Sequence, residues 1–249
     1  MEFRYHSFDE DVIVSANQDY RLGDDYRWLP QNGWERLAFR LMQGVIYIVA
    51  VFYCHLVLHV RLKGRRLVRQ YQGCFIYGNH TQPAADALTP IMCAFPRKIF
   101  AIETAANHGI PVLGKLIRYI GAIPLPQTRR QSAEFEESVR HHITTGHSIM
   151  IYPEAHQWPY YTGIRPFTDA SFRFPVDLQV PCLVAVTTYH KPLWGKKPRV
   201  RTTFDGPFAA NPTLDRKTAR QDLYQTVRAR MEQLAAQSDY CYHQYTHIG

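Results

Sequence analysis

The chain has 249 residues, 46% of them hydrophobic, and a formal net charge of +8. That length and apolar content suit one α/β core with an appendage, and the basic balance points to a membrane surface or an acidic substrate. Nucleic acid is excluded as the expected partner by the lack of zinc-finger spacing, of an RNA-binding aromatic signature and of a long basic run with interleaved aromatics; the five scattered cysteines (Cys54, Cys74, Cys93, Cys182 and Cys241), with no Cys-x-x-Cys, exclude a disulfide scaffold or cysteine–zinc site and suit reduced thiols in a cytosolic compartment.

Residues 1–33 are mixed and acidic-leaning, with Asp9, Glu10, Asp11, Asp24 and Asp25. No basic start or small-residue cleavage pattern marks them as a signal peptide. Leu41 to Val60 then run without Asp, Glu, Lys or Arg. About 20 helical residues cover roughly 30 Å, the thickness of a bilayer's hydrocarbon core. Arg61, Lys63, Arg65, Arg66 and Arg69 follow directly, and such a cluster prefers the cytoplasmic, anionic face of a membrane. The segment is therefore expected to associate with the cell membrane, as a span or as an in-plane helix; a buried helix of a soluble core is the alternative. His55 and His59 lie one helical turn apart, a spacing metal ligands also use, but no third ligand accompanies them and they are taken as interfacial polar residues. The expected division is an N-terminal region over residues 1–66 and a single domain over residues 67–249.

From there strands and helices alternate. Strands are expected over Cys74–Tyr77, Ile99–Ile102, Ile120–Leu125, Ser148–Tyr152, Cys182–Tyr189 and Val200–Phe204. Helices are expected over Pro83–Ala94, Val112–Tyr119, Ser132–Thr145 (closed by Gly146) and Leu214–Gln237. The expected fold class is α/β, a mixed sheet flanked by helices, preceded by the membrane-associating helix. His80 and Glu154 then fall just past strand ends, where open α/β sheets bind ligands.

The stretch Tyr77-Gly78-Asn79-His80-Thr81-Gln82-Pro83-Ala84-Ala85-Asp86 carries the clearest chemistry. Histidine is suited to taking a proton near neutral pH, and a neighbouring carboxylate can fix its tautomer and stabilise the imidazolium. No serine or cysteine adjoins the pair, so the hydroxyl it would activate belongs to a substrate. A structural His–Asp hydrogen bond is the bland alternative. Asn79, Thr81 and Gln82 are expected to shape the turn.

Further blocks follow in order: Gly121-Ala122-Ile123-Pro124-Leu125-Pro126 with Arg129 and Arg130; Ile151-Tyr152-Pro153-Glu154; Arg165-Pro166-Phe167; and Val180-Pro181-Cys182 leading an apolar run. With the His80 block they resemble the glycerolipid acyltransferase family of the 1-acylglycerol-3-phosphate (lysophosphatidate) acyltransferase type, over roughly residues 74 to 190. That family reads Asn-His, four residues, Asp; a block ending in Arg; Phe-Pro-Glu-Gly-Thr-Arg; and a Val-Pro block. This chain departs in three places. Five residues separate His80 from Asp86, Gln127 falls where the second block's Arg would be, and Tyr152-Pro153-Glu154-Ala155-His156 lacks the third block's Gly and Arg.

The resemblance implies transfer of a fatty acyl group from a thioester donor (acyl-carrier protein or acyl-CoA) to a lysophospholipid hydroxyl, in phospholipid biosynthesis. His80 would be the general base and Asp86 its partner. Glu154 would help hold the acceptor's glycerol or phosphate end. Arg129, Arg130 and Arg165 are candidates for an anionic head group, because guanidinium forks match phosphate; each could equally be a solvated surface charge. No metal or cofactor is implied. The role of His156 stays open, as does that of Trp158, Tyr160 and Tyr161, which could cover a pocket, rest at a lipid interface or pack in a core. Two other readings are kept. Gly78-Asn79-His80 also resembles a metallophosphoesterase block, but Thr81 stands where its acid belongs and most of a two-metal ligand set is missing. A non-catalytic lipid-binding relative is favoured by the altered arginine blocks and disfavoured by His80, Asp86 and Glu154.

Overall fold

The computed structural model describes residues 1–12, 17–83, 85–111 and 113–248, without the side chains of Leu113 and Lys115. The first strand is β1 (Glu2–Tyr5), and the first helix is α1 (Gly33–Phe52), which runs on as a π-type turn over Tyr53–Val57. Helix α1 starts well before the apolar run because Asn32 caps it. The Asn32 side chain accepts from the Glu35 amide at 2.8 Å, and Glu35 accepts in return from the Gln31 amide at 2.8 Å, so two otherwise orphaned donors are satisfied.

Next come β2 (Arg61–Lys63), α2 (Arg66–Gln70), β3 (Phe75–Gly78), α3 (Ala85–Ala94), β4 (Ile99–Glu103), α4 (Leu113–Ile117), β5 (Ala122–Pro124), α5 (Arg129–Thr144), β6 (Ser148–Ile151), α6 (Arg173–Leu178), β7 (Cys182–His190), β8 (Arg199–Phe208), α7 (Arg216–Ala235) and β9 (Gln244–His247). Seven strands form one sheet in the order β2-β8-β7-β3-β6-β4-β5. β7, β3, β6, β4 and β5 run parallel, and β8 runs antiparallel to β7, which makes the sheet mixed, as expected. β1 and β9, from the two ends of the chain, pair parallel as a separate two-stranded ribbon.

Every residue of β3, β6 and β7 is buried, as expected of central strands covered on both faces. Alternation sorts their side chains. Phe75, Tyr77, Ile149, Ile151 and Val184 face a core shared with Phe135 and Val139 of α5 and Leu223 and Val227 of α7. Ile76, Met150, Leu183 and Ala185 face Val68 of α2 and Cys93 and Ala94 of α3. The N-terminal region joins the same body: Leu22 and Trp28 pack into the first core, and β2 is an outer strand of the sheet.

Helix boundaries differ from expectation for local reasons. α5 begins at Arg129 rather than Ser132 because Thr128 caps it, accepting from the Gln131 amide at 3.3 Å, while Gln131 accepts from the Gln127 amide at 2.9 Å. α3 begins at Ala85, not Pro83; Ala84 lies outside the described residues, as does Val112 at the start of the expected Val112–Tyr119 helix, whose last turn is a 3₁₀ turn over Arg118–Ile120. The buried-core alternative for the apolar helix does not hold: Leu41, Ile48 and Phe52 are 64%, 68% and 59% exposed. With its π turn this helix (Gly33–Val57) is long and apolar enough to cross a membrane. One face is tied to the protein. The Gln43 side chain donates to the Tyr119 carbonyl, Tyr47 stacks on Phe95 at 4.1 Å, and Ala50 and Cys54 are buried against Met92 and Tyr189.

Candidate functional site

The site grows from the end of β3. Gly78 closes the strand where no side chain fits: a Cβ there would lie 2.3 Å from Met150 Cε and 2.9 Å from the Tyr152 ring. Asn79 then extends the sheet with its side chain, donating to the Thr187 carbonyl at 2.9 Å and accepting from the Thr187 amide at 2.8 Å. Thr81 is buried; its hydroxyl meets the Tyr189 hydroxyl at 2.8 Å, and its carbonyl accepts from the Tyr160 amide at 2.7 Å. With residues on both sides held, His80 is left at the mouth with 24% of its side chain exposed.

Asp86, buried in the first turn of α3, lies with Oδ2 at 2.9 Å from His80 Nδ1 and accepts from the Gln82 amide at 2.9 Å. The longer His–Asp gap thus does not open the pair: the Asp86 carboxylate reaches back to both the Gln82 amide and His80. Tyr152 stacks on the His80 ring (centroids 4.5 Å, interplanar 23°) and donates to the Asp86 carbonyl. The Asp86 contact consumes Nδ1, and Nε2 has no hydrogen-bond partner among the described residues. A histidine held this way carries its proton on Nδ1 and offers Nε2 as a base.

Glu154 and Arg165 are brought together, both with fully buried side chains. Arg165 Nε and Nη2 each lie 3.1 Å from Glu154 Oε2, Nη1 donates to the Phe8 carbonyl (3.1 Å), and Nη2 also donates to the His156 carbonyl. The guanidinium also packs 4.9 Å from the Trp158 ring centre. Burial pushes the Glu154 carboxyl up to about 7 against the pull of Arg165, and His80 is among the charges it senses. Arg165 therefore has neither an open face nor a free donor fork for a ligand. Arg129 and Arg130 are placed differently: both are exposed at the start of α5, beside the end of β5, with β4 and β6 between them and the His80 strand.

Trp158 is fully buried, donates to the Glu10 carbonyl at 2.9 Å and stacks on Tyr245 at 5.0 Å, which is core packing, whereas Tyr160 and Tyr161 are only half-buried. His156 pairs with Asp11. Gln127, where the resembled pattern has an arginine, instead holds the N-terminal segment, accepting from the Leu22 amide at 2.8 Å and donating to the Tyr20 carbonyl at 3.0 Å. Contacts from Phe8, Glu10 and Asp11 were not anticipated, because nothing in an acidic, aperiodic stretch marks its partners more than a hundred residues away. The Tyr152 stack was likewise missed, although an aromatic ring between a strand and Pro153-Glu154 was visible. Among the described residues no group of three or more His, Cys, Asp or Glu side chains could hold a metal ion, and His55 and His59 are both exposed.

A family model described as Acyltransferase matches residues 59–187. No curated protein matches the chain. Among solved structures, the chain is similar to the 1-acyl-sn-glycerophosphate (LPA) acyltransferase PlsC from Thermotoga maritima, with a TM-score of 0.53 and 16% identity over 86% of this chain and 87% of that one. At that identity the likeness concerns the fold.

Proposed function

We propose that this chain, which belongs to the acyltransferase family, moves a fatty acyl group from a thioester donor to the free hydroxyl of a lysophospholipid, with 1-acylglycerol-3-phosphate as the acceptor, in phospholipid biosynthesis. The observation that carries this reading is the 2.9 Å contact between His80 Nδ1 and Asp86, on a partly exposed ring whose Nε2 makes no hydrogen bond among the described residues. In the proposed reaction Nε2 takes the proton of the acceptor hydroxyl as its oxygen attacks the thioester carbonyl. The tetrahedral intermediate collapses with cleavage of the C–S bond, and the imidazolium returns the proton to the departing thiolate. Asp86 holds the tautomer and stabilises the imidazolium. A base so placed contributes about 10²–10⁴ in rate.

For the acceptor phosphate we assign Arg129 and Arg130, which are exposed and make no ion pair among the described residues. Glu154 and Arg165 act as one unit that holds the wall of the site near His80. The exposed stripe of α1 supports seating on a membrane, in plane rather than spanning, because the opposite face of the same helix is docked on the domain. The basic cluster from Arg61 to Arg69 favours the cytoplasmic leaflet.

The test is product identification. Purified protein is incubated with acyl-carrier-protein and acyl-CoA donors and a panel of lysolipids, and products are read by mass spectrometry. The reading predicts acylated 1-acylglycerol-3-phosphate, and a strongly raised acceptor KM with an unchanged donor KM when Arg129 and Arg130 are both replaced by alanine. Acylation of only a neutral lysolipid would overturn the acceptor while sparing the reaction class.

A further inference from the structure

A second cavity lies at the opposite edge of the sheet from His80. His80 and Glu154 follow the C-terminal ends of β3 and β6, whereas Lys98 and His147 immediately precede the first residues of β4 and β6. The four residues of β6 alone separate the two edges by about 13 Å. The cavity, of about 320 Å³, opens between the first turns of α1, the segment around Trp28 and the last turn of α5. That volume falls within the range of small-molecule sites, roughly 300–1,000 Å³.

Its lining is unusually one-signed. Arg36, Arg40, Lys98 and Arg118 all face it, and no Asp or Glu lines it. Arg118 has one partner, Glu35 at 3.5 Å; Arg36 and Arg40 make no ion pair among the described residues, and Lys98 rests on the Phe39 ring at 4.3 Å. Arg36, Arg40, Gln43, Tyr47, Ala50 and Cys54 recur every three or four residues and share the docking face of α1. The second half of that face packs against the protein, while its basic first half lines a space it does not fill.

Buried polar atoms in the lining also lack partners. His142 is only 6% exposed, stacks on Phe100 at 3.6 Å, and has no hydrogen-bond partner at Nδ1; His147 Nδ1 is likewise buried and unpaired. Arg40 adds to burial in lowering the pKa of Lys98, a sign of uncompensated positive charge. The α5 C-terminus would ordinarily repel an anion, but its carbonyls are occupied: Thr145 Oγ1 donates to the His141 carbonyl at 2.7 Å and Thr144 Oγ1 to the Arg140 carbonyl at 2.9 Å.

We propose that this cavity is a second phosphate-binding site, separate from the His80 site, whose cations Arg36, Arg40, Lys98 and Arg118 hold a phosphate group while Trp28, Phe39 and Phe100 take the ligand's apolar part. Forked guanidinium donors beside an ammonium are suited to a phosphate mono- or diester. Such a group can come from an anionic lipid head or from a soluble phosphate compound. The inference does not depend on the acyltransferase reading.

Calorimetric titration tests it, with inorganic phosphate and with soluble dihexanoyl phosphatidic acid as the two probes. Because the acceptor phosphate is assigned to Arg129 and Arg130, the titrations are repeated with both replaced by alanine, and binding at the cavity is expected to persist. Arg36→Gln, at an exposed and unpaired position, and the double change Arg40→Gln with Lys98→Gln should each weaken binding, by about tenfold or more for each cation removed. Binding of both probes identifies a soluble phosphate as sufficient; binding of the lipid alone identifies the head group together with its apolar part. Failure of wild type to bind either probe, or unchanged affinity in the folded Arg36→Gln and double variants, would overturn the proposal.

Discussion

Arg165 and Glu154 form an ion pair with no solvent-exposed side-chain surface, the guanidinium Nε and Nη2 both at 3.1 Å from one carboxylate oxygen. Two charges taken wholly out of water are held by each other, by the Phe8 and His156 carbonyls, by the Arg165 amide on Glu154 and by the Trp158 ring. Removing one partner leaves the other charge buried and uncompensated, which costs about 3–5 kcal/mol. Arg165→Ala is therefore expected to lower the denaturant midpoint sharply, with no change specific to the acceptor KM in whatever protein remains folded. A variant of wild-type stability with a raised acceptor KM would instead return Arg165 to the head group.

Ala155 adopts φ +61°, in the left-handed region, at the position where the resembled block has glycine. An L-residue there is strained by roughly 1–2 kcal/mol, so Ala155→Gly is expected to relieve about that much, less the added freedom of glycine in the unfolded chain. A melting temperature raised by about 2–4 °C is the expected reading. A drop in melting temperature would mean that the Ala155 methyl makes contacts worth more than the strain.

Acid stability provides a third check. Burial, with smaller contributions from His141, His147 and Lys98, lowers the His142 pKa from 6.5 to about 3. Between those values the unfolded chain binds more protons than the folded one, so stability present above pH 6.5 is lost as the pH falls through this window. The loss attributable to His142 is on the order of 4 kcal/mol by pH 3. His142→Phe, which keeps a ring against Phe100, should flatten the dependence of the unfolding midpoint on pH below 6.5. An unchanged slope would show that His142 does not carry it.

How much of this was legible depended on sequence separation. His80 and Asp86 sit in one short turn, so their contact could be read directly, and the apolar central strands announced a sheet covered on both faces. Thr128 and Gln131, three residues apart, form a helix-start signal in the sequence itself, and the structure uses it in place of Ser132. The burial of Arg165 was not legible, because Phe8, which helps enclose it, lies 157 residues away, and an arginine in a loop looks the same whether solvated or enclosed. The β1–β9 ribbon was invisible because its two strands are only four residues each, too short for their alternation to stand out, and come from opposite chain ends.

The proposed membrane seating depends on the outer face of α1. Leu41, Ile48 and Phe52 are exposed and unpartnered by the domain, so replacing all three with serine should leave the fold intact. At roughly 1.5 kcal/mol for each large apolar side chain buried, partitioning onto anionic vesicles should fall by about 10³-fold. Vesicle co-sedimentation reads this directly, and unchanged binding of the triple variant would remove α1 from the account.

The most direct measurement of the central claim is the acyl-transfer rate of His80→Ala and Asp86→Asn proteins whose folding is verified by circular dichroism and melting temperature. The account predicts that His80→Ala loses about 10²–10⁴ in kcat, and that Asp86→Asn, which can no longer stabilise an imidazolium, loses most of its rate with the substrate KM values little changed. Wild-type turnover by a folded His80→Ala protein would contradict it.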